Sequence, residues 1–306
     1  MLSWQRLTRR AVMQSGLDML IAEIAACPHD FPSQRAVPLR CAASPACACE
    51  RTQMDLPKNA LKSALKAGQR QIGLWVSDAS PDAAELLATC GYDWLLFDLE
   101  HTTNSLADAA GLLRAVSAYP VSGVVRPGWN DPVEIKRLLD AGTQSLIVPY
   151  VQSAAEAEAA VASVRYPPRG RRGFAGMTRA TRYGAVAEYA ADAADEICLI
   201  VQIESEKALG AIEEIAAVDG IDAIFVGPAD LAASLGHPGE IGHAAVRPRI
   251  LEAIRRIVAA GRPAGLLALD EDLLHDAEAA GAIFLGIDVD AAILRRGALA
   301  RRADWT

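Results

Sequence analysis

The sequence predicts a closed (β/α)8 barrel, a TIM barrel of the α/β class. From Met54 onward, short apolar runs alternate eight times with segments of helical period. The runs are nearly continuous in hydrophobicity, as befits a parallel sheet covered on both faces. Eight such units in about 250 residues match a barrel. An open doubly wound sheet would carry a glycine-rich phosphate turn after its first strand, and none is present.

The expected strands span 71–76, 94–99, 122–127, 145–150, 197–204, 222–228, 264–269 and 282–287. A helix opening at DLPKNALKSALKAG, with Pro57 near its first turn, precedes the first strand. Ser80-Pro81 and Asp131-Pro132 each set a capping side chain before a proline at the first helical position. Glycines at 91, 142, 261 and 281 mark helix ends. One connection breaks the rhythm. Residues 165–184, RYPPRGRRGFAGMTRATRYG, are long, basic and glycine-rich, and are expected to form a lid over the barrel mouth that meets an anionic substrate.

Residues 1–53 differ from the rest. They hold Cys27, Cys41, Cys47 and Cys49, four of the six cysteines, and no lysine. The run CAASPACAC has no strand or helix period, and its cysteine spacing fits no zinc pattern. The start, MLSWQRLTRRAVM, is basic and amphipathic like a targeting peptide, but Asp18 and Glu23 interrupt the apolar stretch a secretory signal needs. This leader is expected to be disordered or absent from the working protein, with the barrel running over 54–306. Cys90 and Cys198 stand singly in apolar segments and read as buried thiols of a cytoplasmic protein. The formal charge of -8 leaves no basic field for nucleic acid or an anionic membrane. The sequence contains no run of about 18 apolar residues, the length that would span a bilayer.

In this fold, active sites form at the C-terminal ends of the strands. The second strand, WLLFDLEH, ends in Asp98, Glu100 and His101. The third delivers Arg126, the fifth Gln202 and Glu204, and the sixth runs into GPAD with Asp230. Alternation puts Gln202 and Glu204 on one face. Each residue has a plainer reading: Glu204 and Asp230 as helix caps, Arg126 as a surface ion pair, His101 as a loop histidine. Their convergence on one rim favours a site. Hard oxygen donors without a cysteine cluster suit Mg2+, Mn2+ or a similar divalent ion. The lysines, at 58, 62, 66, 136 and 207, all fall outside the strands, so Schiff-base chemistry has no candidate residue. Metal-assisted carbonyl chemistry then fits: a divalent ion polarises a 2-oxo group, arginine faces the developing oxyanion and histidine moves the proton.

The segments GLWVSDASP, FDLEH, VVRPGWNDPVEIKRLLDAG, LIVPYVQSAAEAEAAV, RYPPRGRRG, VQIES, FVGPADLAASLGHPG and AAGRPAGLLA, in this order, resemble the HpcH/HpaI family of class II pyruvate aldolases. The resemblance covers nearly all of the chain beyond Met54 and implies a barrel of the phosphoenolpyruvate/pyruvate type. It implies reversible cleavage of a 4-hydroxy-2-oxo acid, such as 4-hydroxy-2-oxoheptanedioate or a 2-keto-3-deoxy sugar acid, to pyruvate and an aldehyde. Glu204 and Asp230 would ligate Mg2+, Mn2+ or Co2+, with Asp98 holding metal-bound water. Arg126 would bind and stabilise the pyruvate enolate and His101 would be the acid/base. Gln202, Trp75 and the backbone at Gly227, Pro228 and Ala229 would line the pyruvate site. Asp140 would reach the catalytic histidine of a neighbouring subunit in a homohexamer. Thr102-Thr103, and the 165–184 loop, depart from family members that act on heptanedioates. The related alternatives are a citrate lyase β or malyl-CoA type lyase, which needs a basic site for coenzyme A phosphates, and an oxaloacetate decarboxylase.

Overall fold

The computed structural model describes residues 53–305; the expected leader, with its four cysteines, lies outside them except for Gln53. Eight parallel strands close in chain order into a barrel. They are β1 (Gln71–Val76), β2 (Trp94–Asp98), β3 (Ser122–Arg126), β4 (Ser145–Val148), β5 (Cys198–Ile203), β6 (Ala223–Val226), β7 (Ala264–Leu267) and β8 (Ala282–Val289). Each lies within two residues of its expected limits. Around them run α1 (Ala60–Lys66), α2 (Pro81–Ala88), α3 (Leu106–Ala115), α4 (Pro132–Asp140), α5 (Ala154–Val164), α6 (Tyr189–Glu196), α7 (Glu206–Gly210), α8 (Ile212–Ala216), α9 (Pro228–Ser234), α10 (Arg247–Ala259), α11 (Glu271–Ala279) and α12 (Asp290–Ala303).

Local chemistry explains the helix starts. Ser80 Oγ accepts from Ala83 N, and Asp131 accepts from Val133 N and Glu134 N, each ahead of a proline. Ser105 and Asp108 form a reciprocal capping box on α3. The first helix opens at Asn59, whose side chain accepts from Lys62 N, slightly later than Pro57 suggests. The same Asn59 side chain donates to Gln144 O, Ser145 Oγ and Glu196 O, tying α1 to the start of the β4 and β5 region.

Alternation along the strands divides the core in two. Trp94, Leu96, Val124, Ile147, Ile200, Phe225 and Phe284 fill the barrel lumen, and Leu61 and Leu65 of α1 join this cluster. Leu95, Phe97, Val125, Leu146 and Val201 face outward into the layer under the helices. The parity fixes the mouth: lumen positions 94 and 96 continue to Asp98, 124 to Arg126, and 198 and 200 to Gln202. In the β2–β3 register Asp98 pairs directly with Arg126.

Two expectations are corrected. The 165–184 connection follows the C-terminal end of α5 and leads through α6 to β5, and it lies at the strand-start end of the barrel, opposite the mouth. Ala180 N donates to Asp140 O, Arg179 Nη1 to Ala141 O and Arg172 Nη2 to Asp140 Oδ1, holding it against the end of α4. These contacts exclude a lid over the mouth of the same chain. Cys198 is buried as expected, but Cys90 is exposed, because it sits in the turn after α2 where Gly91 takes a positive φ of 85°.

Gly73 faces Trp94 across the β1–β2 ladder, and a Cβ there would sit inside the indole ring. Gly73→Ala should therefore destabilise by about 1–3 kcal/mol or more, as overpacking does. A lowered denaturant midpoint in equilibrium unfolding checks this; an unchanged midpoint contradicts the lumen packing.

Candidate active site

The mouth carries a buried ion cluster. Arg126 Nε and Nη2 donate to Asp98 Oδ1 and Oδ2 at 2.8 and 2.6 Å, a bidentate pair, and Arg126 Nη1 lies 2.9 Å from Glu100 Oε2. The guanidinium rests 4.9 Å from the Trp75 ring centroid, and Trp75 Nε1 donates to Asp98 Oδ2 at 3.4 Å. Both Asp98 oxygens are thus directed to Arg126. Burial alone would raise the Asp98 carboxyl, but the Arg126 hydrogen bond and charge outweigh it and hold it below the usual range. Thr102 Oγ1 and Asn104 Nδ2 donate to Asp98 O, anchoring the loop after β2 at the Thr102-Thr103 departure.

Glu204 is 2% exposed. Its Oε1 accepts from Tyr150 N at 2.8 Å and its Oε2 from Gln202 Nε2. Tyr150 holds a left-handed φ of 56°, a conformation that costs a non-glycine residue energy. No feature of the sequence announces it. Gly227 packs so closely that a Cβ would collide with Glu204 Oε2. Asp230 lies in the first turn of α9, where the carboxylate makes no capping bond, so the plain cap reading does not apply to it. Ser205, not Glu204, caps α7. His101 Nε2 stands 4.0 Å from Asp230 Oδ2 and 3.9 Å from Glu100 Oε2, at the solvent edge.

Trp75, His101, Arg126, Gln202, Glu204 and Asp230 share one cavity of about 420 Å3, whose wall includes Gly227, Pro228 and Ala229. Glu100, delivered by the second strand, completes the ion cluster; its spacing from Asp98 is the signal in the sequence. Arg247 and Asp270 at the rim come from sequence segments that give no sign of them. Asp140 is not brought to this site: it ends α4 at the opposite end of the barrel, bound to Arg172.

The cluster has a charge imbalance that bears on a metal. Four carboxylates, Asp98, Glu100, Glu204 and Asp230, gather around one guanidinium. Burial, opposed by the Arg126 charge and reinforced by Asp98 and Asp230, pushes Glu100 up to about 7. Burial, opposed by the Gln202 and Tyr150 bonds and reinforced by Glu100 and Asp230, pushes Glu204 up to about 7. A buried carboxylate such as Glu204, whose ionised form is disfavoured for want of positive charge, fits a hard divalent cation.

The HpcH/HpaI aldolase/citrate lyase family profile matches residues 71–295. The chain belongs to this family. With it, the protein is a carbon–carbon lyase. It is 60% identical over 253 residues to a hydroxypyruvate/pyruvate aldolase of Sagittula stellata, covering 83% of this chain and all of that one. It is 47% identical over 249 residues to a 4-hydroxy-2-oxo-heptane-1,7-dioate aldolase of Klebsiella pneumoniae, covering 81% of this chain and 94% of that one. A crystal structure of a family member from Burkholderia cenocepacia superposes with a TM-score of 0.78 at 38% identity, over 81% of this chain and 100% of that one. The barrel and the aldolase family expected from the sequence are therefore both found.

The raised Glu204 carboxyl makes stability pH-dependent in the cation-free protein. A raised pKa contributes stability fully below the ordinary value of 4.5, and the contribution is lost as pH rises through about 7. Between about pH 5 and pH 8 the loss should be roughly 1–3 kcal/mol. Thermal midpoints against pH in EDTA, compared with Glu204→Gln, test it: the variant should show a flatter profile, and equal slopes would contradict the assignment.

Proposed function

We propose that the protein is a class II, divalent-cation-dependent aldolase that reversibly cleaves a 4-hydroxy-2-oxo acid to pyruvate and an aldehyde. The convergence of Glu204, Asp230, Arg126 and His101 on one cavity carries the reading. Glu204 and Asp230 are the residues that would hold Mg2+, Mn2+ or Co2+. When bound, the cation supplies a Lewis acid for the 2-oxo group.

The chain's own groups do the rest. Asp98 fixes Arg126, so the guanidinium meets negative charge developing at the 2-oxo oxygen without reorganising. Asp98 is also the carboxylate that would hold water beside the cation. Gln202 orients Glu204 through its side-chain amide. Gly227 N is already bonded to Ile203 O at 3.0 Å and Pro228 has no N–H, so the backbone grip on the substrate carboxylate falls to Ala229. His101, through a water, accepts the 4-hydroxyl proton. The C3–C4 bond breaks, its electron pair passes into the 2-oxo group beside Arg126, and C3 then takes up the proton that His101 returns through the water. Trp75 floors the pocket beneath the guanidinium.

Asp140 acts, in this reading, from a neighbouring subunit. Within one chain it lies at the wrong end of the barrel, and the exposed Leu294 and Leu299 of α12 offer an apolar face for association. A homo-oligomer, with the hexamer of the family as the expected state, and a cytoplasmic location complete the proposal. No helix among the described residues is long and apolar enough to cross a membrane. The coenzyme A-dependent alternative needs a basic site at the mouth, and within one chain the basic 165–184 loop, bound to Asp140, does not supply it. Oxaloacetate decarboxylation leaves an electron pair on the same carbon and belongs in the same assay.

The test is pyruvate release over a panel of 4-hydroxy-2-oxo acids and oxaloacetate, with and without EDTA, with hydroxypyruvate as a second donor in the reverse direction. EDTA should abolish activity and Mn2+ or Mg2+ restore it; activity indifferent to EDTA rejects the metal. Arg126→Ala and His101→Ala should each lower kcat by about 100-fold or more, and retained cleavage in either rejects its role. Co-expressed His101→Ala and Asp140→Ala chains should regain activity that neither variant has alone; failure to complement removes Asp140 from the neighbour's site.

A further inference from the structure

We propose a second cation site, for a borderline transition metal such as Zn2+, in the loop between α9 and α10, formed by His237, Glu240 and His243. One ligand atom from each residue lies within 4.8 Å of the other two. The backbone explains the convergence. Glu240 N donates to His237 O at 3.1 Å, His243 N to Glu240 O at 2.9 Å and Val246 N to His243 O at 2.8 Å. These are β-turns joined end to end, each sharing its last residue with the next, and Gly239 takes a positive φ of 80° inside the first. This run of tight turns folds the loop back on itself and keeps His237, Glu240 and His243 within reach of one another.

The ligand atoms are near enough to share an ion once the two imidazoles, which stack on each other, turn about their side-chain torsions to point both lone pairs at it. The two imidazoles stack with centroids 3.6 Å apart and planes 22° apart. His237 Nδ1 lies 3.7 Å from Glu240 Oε2. Ala245 N donates to His243 Nδ1 at 3.1 Å, which marks that nitrogen as the one bearing a lone pair, and a cation would exchange for this amide. Two imidazoles and one carboxylate, with water in the fourth position, form a ligand set that zinc accepts. The site differs in chemistry from the mouth. Imidazole donors favour Zn2+, Co2+ or Ni2+, whereas the carboxylates of Glu204 and Asp230 suit Mg2+ or Mn2+. It is nonetheless close by, since Ile241 and Gly242 between the ligands line the mouth cavity.

Zn2+ titration by calorimetry of the untagged, chelator-stripped full chain tests the site, in the presence of excess Mg2+. Wild type should bind one Zn2+ equivalent more than His237→Ala/His243→Ala. That difference should persist in a Glu204→Gln background, so the outcome does not depend on whether a cation binds at the mouth. Removing a bonded partner outside the ligand shell costs tenfold to 100-fold in affinity, so Glu240→Gln, which keeps both imidazoles, should weaken binding at least about tenfold. His275→Ala, at an exposed histidine of α11, should change nothing. Bound Co2+ should show tetrahedral visible absorption that the double-histidine variant lacks. Equal stoichiometry in wild type and the double-histidine variant, or displacement of Zn2+ by Mg2+, overturns the proposal. If the double variant does not fold, undiminished affinity in Glu240→Gln overturns it alone.

Discussion

The charge balance around Arg126 is the constraint on which the mouth depends. A buried guanidinium is tolerable only when paired, and Asp98 meets it with two short hydrogen bonds while Glu100 lies 2.9 Å from the remaining terminal nitrogen. Those partners neutralise Arg126 but leave Glu204 and Asp230 with no fixed counter-charge. Burial and the neighbouring carboxylates disfavour ionisation, so Glu204 rises to about 7, and Glu100 rises to about 7 even against the Arg126 charge. A site built this way has oxygen donors held ready by hydrogen bonds and lacks only positive charge. The aldolase reading assigns that charge to a divalent cation.

The barrel supplies the rigidity this arrangement needs. Trp94, Phe225 and Phe284 fill the lumen, with Trp94 and Phe284 centroids 4.3 Å apart. The absence of a side chain at Gly73 gives the Trp94 indole its place. Above this packed layer, Asp98, Arg126 and Gln202 emerge at adjacent or facing lumen positions, so their geometry follows from strand register and not from loops. Loop residues add the adaptable parts: Tyr150 gives its amide to Glu204 through a left-handed backbone, and Gly227 admits the carboxylate by having no Cβ.

Much of this is legible in the sequence because strand signals are local. A run such as Trp94–Phe97 followed by Asp98 states both the strand and the end at which its polar residue emerges. Membership of the aldolase family follows from segments around the same strand ends. The expected lid fails for a different reason: length, charge and glycine content describe a loop, while its end of the barrel depends on whether it follows a helix or a strand. The burial expected of Cys90 fails because its apolar neighbourhood in sequence includes a turn that reverses the chain into solvent. Tyr150 escapes notice because a positive φ at a non-glycine residue leaves no compositional trace.

The sequence by itself determined the eight strands, the helix caps and the carboxylate, arginine and histidine set, because periodicity, capping and residue type act over a few neighbours. Only the tertiary structure decided which of those groups touch. The Asp98–Arg126 clamp, the Glu100 contact, the separation of Asp140 from the mouth and the raised glutamate carboxyls all depend on closure of the barrel. Closure sets the distances and the burial, and electrostatic energies depend on both.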